Sequence, residues 1–284
     1  MPVVSFFAYG IAKNWVAGKS LADALYASKQ ANSKGFEVIV NYLGEEIEDV
    51  SEVRRSVAEY KRLLDAVHGE RVNGGVSVKP TQLGLRIGGE LFRRSLEEIV
   101  GHAARLKRFV WVDMESSMFT DDTLDVYGSV LKKNEDIGVC VQSYLRRSEG
   151  DLKRLVALGG KVRLVKGAYN EPASVAFKSK AEVDASFLRL MRYLFVNSVN
   201  LFSVSTHDEA LVNKAIELSG RFKRNFEFGM LKGVRNKLMQ ELVARGFRVT
   251  EYIPYGENWL PYSVRRLREK PSNILLLTRS LLSR

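Results

Sequence analysis

The chain has 284 residues, 45% hydrophobic and 27% charged, the proportions of a globular protein large enough to bury a sizeable core. No apolar run approaches the ~18 residues that a membrane span needs. The apolar, aromatic N-terminus has no basic leader and no clear cleavage site, so the expected location is cytoplasmic. Lysine and arginine outnumber the acids 44 to 33, a net charge of +11. Such an excess fits nucleic acid, an anionic membrane surface, an anionic ligand or simply a soluble surface. The basic residues are dispersed (Lys61, Arg62, Arg93, Arg94, Lys132, Lys133, Arg221, Lys223, Arg224) and interleaved with Glu, the pattern of solvated helix faces. The single cysteine, Cys140, lies in an apolar strand and excludes an intramolecular disulfide; it reads as a small core residue. No Cys/His cluster has metal-ligand spacing, so no metal is expected.

In chain order, the pattern predicts a helix over 20–35, capped by Ser20 and stopped by Gly35. Eight short strands follow: FEVIVNYLG (36–44), GVSVKP (75–80), FVWVDM (109–114), IGVCVQSYL (137–145), KVRLVKG (161–167), LFSVSTH (201–207), FEFGML (226–231) and TEYIPYG (250–256). Amphipathic helices alternate with them over 45–67, 91–106, 121–134, 149–158, 180–199, 208–218, 233–245 and 262–269. Eight alternating units predict an α/β protein, a closed (β/α)8 TIM-type barrel. No linker or repeat interrupts the pattern. One domain over 1–284 is expected, with an N-terminal helical extension to about residue 35 and a tail from about residue 271.

Each strand ends in residues out of place in a core: Glu45, Lys79, Asp113 with Glu115, Gln142, Arg163 with Lys166, His207, Leu231 with Lys232, and Tyr252. In a barrel these ends form one face, where chemistry sits. There is no GxGxxG after the first strand and no GxxxxGK[ST], so any nucleotide cofactor must be held by barrel loops. In YSVRRLRE (262–269), Arg265 and Arg266 lie about 100° apart on a helix and can clasp one carboxylate from two sides, or form a basic exposed turn. Arg163, inside an apolar strand, needs a ligand or a carboxylate such as Asp113 or Glu115. Asp113 is a base, an acceptor or a cap; Lys79 is a ligand contact or a solvated end; His207 with Thr206 is a site element or a helix start. The loop over 170–179 is long enough to cover part of the face. Lys79, Arg163, Arg265 and Arg266 at one mouth with few acids point to an anionic ligand, a small carboxylate with a phosphate-bearing cofactor. The competing readings are a basic barrel that binds a polyanion without catalysis, and a barrel enzyme for a phosphorylated substrate. The first lacks a basic stripe with stacking aromatics, and the second lacks a glycine-rich phosphate loop.

The ordered motifs NYLGE, SVKPTQLG, VWVDMES, VQSYLRR, VRLVKGAY, STHD, FEFGML and YIPYGENWLPYSVRRLRE together resemble the proline dehydrogenase family in its short, single-activity form. The resemblance runs over about 16–273. It implies a distorted (β/α)8 barrel that binds FAD noncovalently at the strand ends and oxidises L-proline to Δ1-pyrroline-5-carboxylate. By motif match, Lys79, Arg265 and Arg266 bind the proline carboxylate, while Tyr252, Tyr262 and Leu231 wall its ring. Arg163 lies near flavin N5 and, with Asp113, is expected to be catalytic. Met114 and Gln142 contact the isoalloxazine; Lys166, Gly167 and Ala168 approach the pyrophosphate, with Thr206 and His207 nearby and Glu269 at the adenosine end. Glu45 pairs with Arg265 as a gate. The resemblance also implies a quinone as electron acceptor, with possible peripheral contact at the inner face of a membrane; no nucleic acid is expected. The chain departs from the family at Gly229 (often Gln), at Pro80, at Ser143 (often Ala) and at Asn170, which bears on cofactor binding more than on the reaction. Tyr252 implies proline rather than hydroxyproline as substrate.

Overall fold

The computed structural model describes residues 12–269, with side chains as far as Val264. Eight parallel strands close on themselves: β1 (Glu37–Tyr42), β2 (Gly74–Val78), β3 (Val110–Val112), β4 (Ile137–Gln142), β5 (Lys161–Val165), β6 (Phe202–Ser205), β7 (Phe226–Leu231) and β8 (Val249–Tyr255). Each strand bonds to the next in sequence, and β1 pairs with β8 from Glu37↔Thr250 to Tyr42↔Tyr255. The order 1 to 8 follows from helical crossovers between parallel neighbours.

Nine helices surround or cap the barrel: α1 (Leu21–Asn32), α2 (Val50–Gly69), α3 (Gly89–Arg105), α4 (Thr120–Leu131), α5 (Ser148–Ala157), α6 (Lys180–Asn197), α7 (Glu209–Arg221), α8 (Asn236–Ala244) and α9 (Trp259–Glu269), counted among the described residues. Helical spacing sets their buried faces: α2 buries Val53, Val57, Tyr60, Leu64 and Val67, and α3 buries Phe92, Leu96, Ile99 and Ala103. Their charges pair on the outer faces, as Arg93 does with Glu90 and Glu97. Caps fix where helices start. Ser20 with Asp23 and Ser179 with Glu182 form capping boxes on α1 and α6, and Asp208 caps α7.

Of the helix starts that differ from expectation, two lie at the barrel mouth. Helix α2 begins at Val50, not at residue 45: Asp49 accepts from the Glu52 N–H at 3.0 Å as its cap, and Glu46 before it holds a left-handed φ of 57°. Residues 45–49 are therefore a loop over the barrel mouth. Helix α9 begins at Trp259, three residues before Tyr262, because Pro261 is tolerated in a first turn where its missing N–H has no partner to lose.

At the mouth, Trp15, Val16, Leu43, Trp259 and Tyr262 form a small apolar cluster separate from the main core. The Trp15 indole N–H donates to Ser263 Oγ at 3.2 Å and ties the segment before α1 to α9. The loop between β5 and α6 is pinned rather than loose: Ala176 bridges to Leu145, and Ser117 donates through N–H and Oγ to the Glu171 carboxylate, each at 2.6 Å. Among the described residues, no helix is long and apolar enough to cross a membrane.

Candidate active site

Strand alternation aims one parity of each strand into the barrel. The inward set includes Ser77 on β2, Cys140 on β4, Arg163 on β5 and Tyr252 on β8, with Asp113 at the end of β3. Asp113 is the hub. Its Oδ1 accepts from Ser77 Oγ at 2.7 Å and from the Arg163 guanidinium. Its Oδ2 accepts from Lys79 Nζ at 3.1 Å and from the Tyr252 hydroxyl at 2.8 Å. Arg163 also donates to Ser77 Oγ at 3.0 Å and to Cys140 Sγ at 2.8 Å, and lies 5.2 Å and 5.4 Å from the Trp111 and Tyr252 ring centroids. Lys79 has a second carboxylate, Glu45, at 3.3 Å.

The electrostatics follow from that packing. Burial alone raises the Asp113 carboxyl, but the Lys79 and Arg163 charges and the Ser77 and Tyr252 hydroxyls more than offset it and hold its pKa at about 2. Burial works against the Lys79 ammonium, yet Asp113, with Tyr169 and Glu45, keeps its pKa well above the ordinary value. Burial, then Asp113, pushes the Tyr252 phenol up. Glu115, two residues beyond Asp113, behaves oppositely. Burial dominates there and pushes its pKa up to about 7, although both its oxygens accept from Thr81 at 2.7 Å.

Above this hub opens a cavity of about 770 Å³ at the downstream strand ends. Its lining includes Lys79, Asp113, Met114, Gln142, Arg163, Lys166, Gly167, Ala168, Thr206, His207, Leu231, Tyr252 and Tyr262. Arg265, Arg266 and Glu269 lie outside the described side chains. Glu45 stands against Lys79, and the Arg265 half of its expected pair likewise lies outside them. Lys166 Nζ is 2.5 Å from Asp184 and 2.9 Å from Asp208, and Lys180 joins the same two acids, so these cations carry counter-charges at the cavity rim. His207 Nε2 accepts from the Leu231 N–H at 2.9 Å, which fixes one ring nitrogen and joins the ends of β6 and β7.

Cys140 is buried as expected, but it does not only fill core. It lines the cavity and accepts from Arg163. Sequence reasoning also missed Ser77, Ser205 and Thr250, and marked Gly229 only as a departure from the family that bears on cofactor binding. The missing signal was parity, since each lies two residues before a chosen strand-end residue, on the same face. Trp15, which also lines the cavity, had no local signal, because the long-range meeting with α9 brings it there. Gly229 is packed from within: a Cβ there would stand 2.1 Å from Ser205 Oγ, so the serines of β6 fill the place of a side chain. A further hollow of about 540 Å³ lies at the opposite end of β7, beside Lys223, Phe226 and Phe247, away from all these groups.

The cavity combines an apolar wall (Met114, Val165, Ala168, Leu231) with cations at both ends and a glycine, Gly167, whose φ of +115° brings bare main chain to the lining. That lining fits a ligand with a flat apolar ring and an anionic tail.

The proline dehydrogenase family model matches residues 24–276. Proline dehydrogenase 2 of Bacillus subtilis (strain 168) is 33% identical over 282 residues, covering 95% of this chain and 93% of the relative. Proline dehydrogenase of Deinococcus radiodurans is 33% identical over 282 residues, covering 96% and 91%. Among solved structures, proline utilization A (PutA) of Bdellovibrio bacteriovorus, inactivated by N-propargylglycine, superposes with a TM-score of 0.83 at 24% identity, over 91% of this chain and 32% of that one. This last likeness speaks to the fold.

Proposed function

The chain belongs to the proline dehydrogenase family, and from that membership and the cavity at its barrel mouth we propose that it oxidises L-proline to Δ1-pyrroline-5-carboxylate, the first step of proline catabolism, with FAD as its bound cofactor. The observation that carries the reading is the Asp113 hub. One buried carboxylate fixes Lys79, Arg163 and Tyr252 side by side on the floor of the cavity.

Lys79, with Arg265 and Arg266 from α9, binds the substrate carboxylate, and Tyr252, Tyr262 and Leu231 pack its ring. Gripping the carboxylate aims the ring carbon beside nitrogen at a fixed point in the cavity, and such positioning is a large part of the rate. The substrate nitrogen must be neutral to react: it passes its proton to solvent, helped by the added positive charge of Arg265 and Arg266, and the freed lone pair becomes the new C=N bond. The bound flavin supplies the acceptor for the hydride that leaves carbon. Met114, Gln142, Lys166, Gly167, Ala168, Thr206, His207 and, from α9, Glu269 are the residues assigned to hold it. Arg163, held by Asp113, would set a fixed positive charge beside the bound flavin. The final acceptor in this reading is a quinone, with anionic lipid as a peripheral contact for the basic surface.

The test is direct. Purified protein should be yellow, and anaerobic L-proline should bleach it; a colourless preparation that takes up no FAD would end the reading. Arg266→Met should raise the proline KM by about 10- to 100-fold with flavin content unchanged, as expected for loss of a charge-assisted bond of ~1.5–3 kcal/mol. Loss of flavin instead would remove Arg266 from the carboxylate clamp.

A further inference from the structure

Glu115 makes no hydrogen bond to Asp113 and is not itself part of the cavity lining, yet it is 1% exposed and spends both carboxylate oxygens on one residue. Thr81 donates to it through N–H and through Oγ, each at 2.7 Å. Thr81 in turn carries the loop between β1 and α2. Its Oγ accepts from the Glu46 N–H at 2.9 Å, and its carbonyl accepts from the Ile47 N–H at 3.2 Å. That loop has no helix or strand of its own, and Glu46 holds φ 57°, a conformation that needs outside support in a non-glycine residue. The residue it presents at the mouth is Glu45, 3.3 Å from Lys79 Nζ. The Glu115 end of the chain is itself fixed, because its carbonyl accepts from Gln142 Nε2 at 2.8 Å.

We propose that Glu115 is a positioning residue: through Thr81 its carboxyl group clamps the loop after β1 and so sets Glu45 and the wall beside Lys79 in place before substrate arrives. The inference rests on the proline oxidation proposed above. A clamped loop is ordered in advance. A loosened one must be ordered at each binding event, which weakens binding without touching the reacting atoms.

Two readouts test it. Thr81→Val keeps the shape of the side chain and removes Oγ, while Thr81→Ser keeps Oγ. In the flavin-loaded enzyme, Thr81→Val should raise the proline KM about 3- to 10-fold with kcat within twofold of the parent, and Thr81→Ser should restore KM. Hydrogen exchange at the Glu46 and Ile47 amides should quicken at least tenfold in Thr81→Val and in Glu115→Gln, and stay slow in Thr81→Ser. Glu45→Gln removes the carboxylate charge that faces Lys79 but leaves the clamp, so exchange at these amides should be unchanged. Unchanged exchange in Thr81→Val would overturn the proposal, and so would exchange equally fast in Glu45→Gln, which would mean that the Lys79 pair holds the loop. Exchange needs no substrate, so it judges the clamp even if the protein does not oxidise proline.

Discussion

Asp113 and Glu115 stand two residues apart on one strand end and titrate in opposite directions, because partners and not position decide a buried acid. Asp113 faces two cations and two hydroxyls and is held at about 2, below its ordinary 3.8. Its contribution to stability is complete above pH 4 and is lost as pH falls towards 2. Glu115 has Thr81 as its hydrogen-bond donor, with Lys79 near enough to help and Glu45 to hinder, and burial prevails at about 7 against an ordinary 4.5. The folded state then binds more protons than the unfolded one between these values, so stability should decline as pH rises from 4.5 to 7, by at most about 3 kcal/mol. Urea unfolding at pH 5 and pH 7 measures this slope, and Glu115→Gln should flatten it. Asp113→Ala should cost about 3–5 kcal/mol in the same assay, since it strands the buried Lys79 and Arg163 charges; a loss below about 1 kcal/mol would show that the hub is not what balances them.

At the scale of elements, two departures from regular structure sit at the cavity mouth. The loop after β1 is left-handed at Glu46, and the chain leaves β5 through Gly167 at φ +115°. A Cβ at Gly167 would stand 2.1 Å from the Tyr144 ring, so both the backbone and the space require glycine there. Gly167→Ala should lower stability by roughly 1–3 kcal/mol in thermal unfolding and weaken flavin retention, whereas Gly128→Ala on α4, with open space around its Cβ position, should do neither.

For the whole molecule, closure of β1 on β8 brings together residues as distant in sequence as Asp113 and Tyr252, and Trp15 and Ser263. Under the proposed function, bound flavin should stabilise the barrel as any ligand of the native state does, by about 2.7 kcal/mol at a free concentration 100 times Kd. Flavin-stripped protein should therefore melt at a lower temperature than reconstituted protein, with far-UV circular dichroism unchanged at room temperature. Equal melting temperatures would speak against a cofactor held by the barrel.

Strand and helix order were legible in the chain because apolar periodicity and capping residues act over a few positions. Eight strands emerged close to their predicted places, and the strand-end residues Lys79, Asp113, Gln142, Arg163 and Tyr252 stood out because charge and amide groups do not belong in apolar runs. The start of α2 was misread because Glu45, Glu46 and Glu48 suit a helix as well as a loop, and it takes partners distant in sequence, Lys79, Thr81 and Arg86, to hold them out of one. What tertiary structure alone decided was pairing. That Arg163 takes Asp113 rather than Glu115, that Cys140 meets Arg163, and that Glu115 is spent on Thr81 all depend on which strands neighbour one another and which side chains share a layer. Local sequence sets which residues can be buried, but the desolvation cost of each buried charge is met by a partner that only the closed barrel brings within reach.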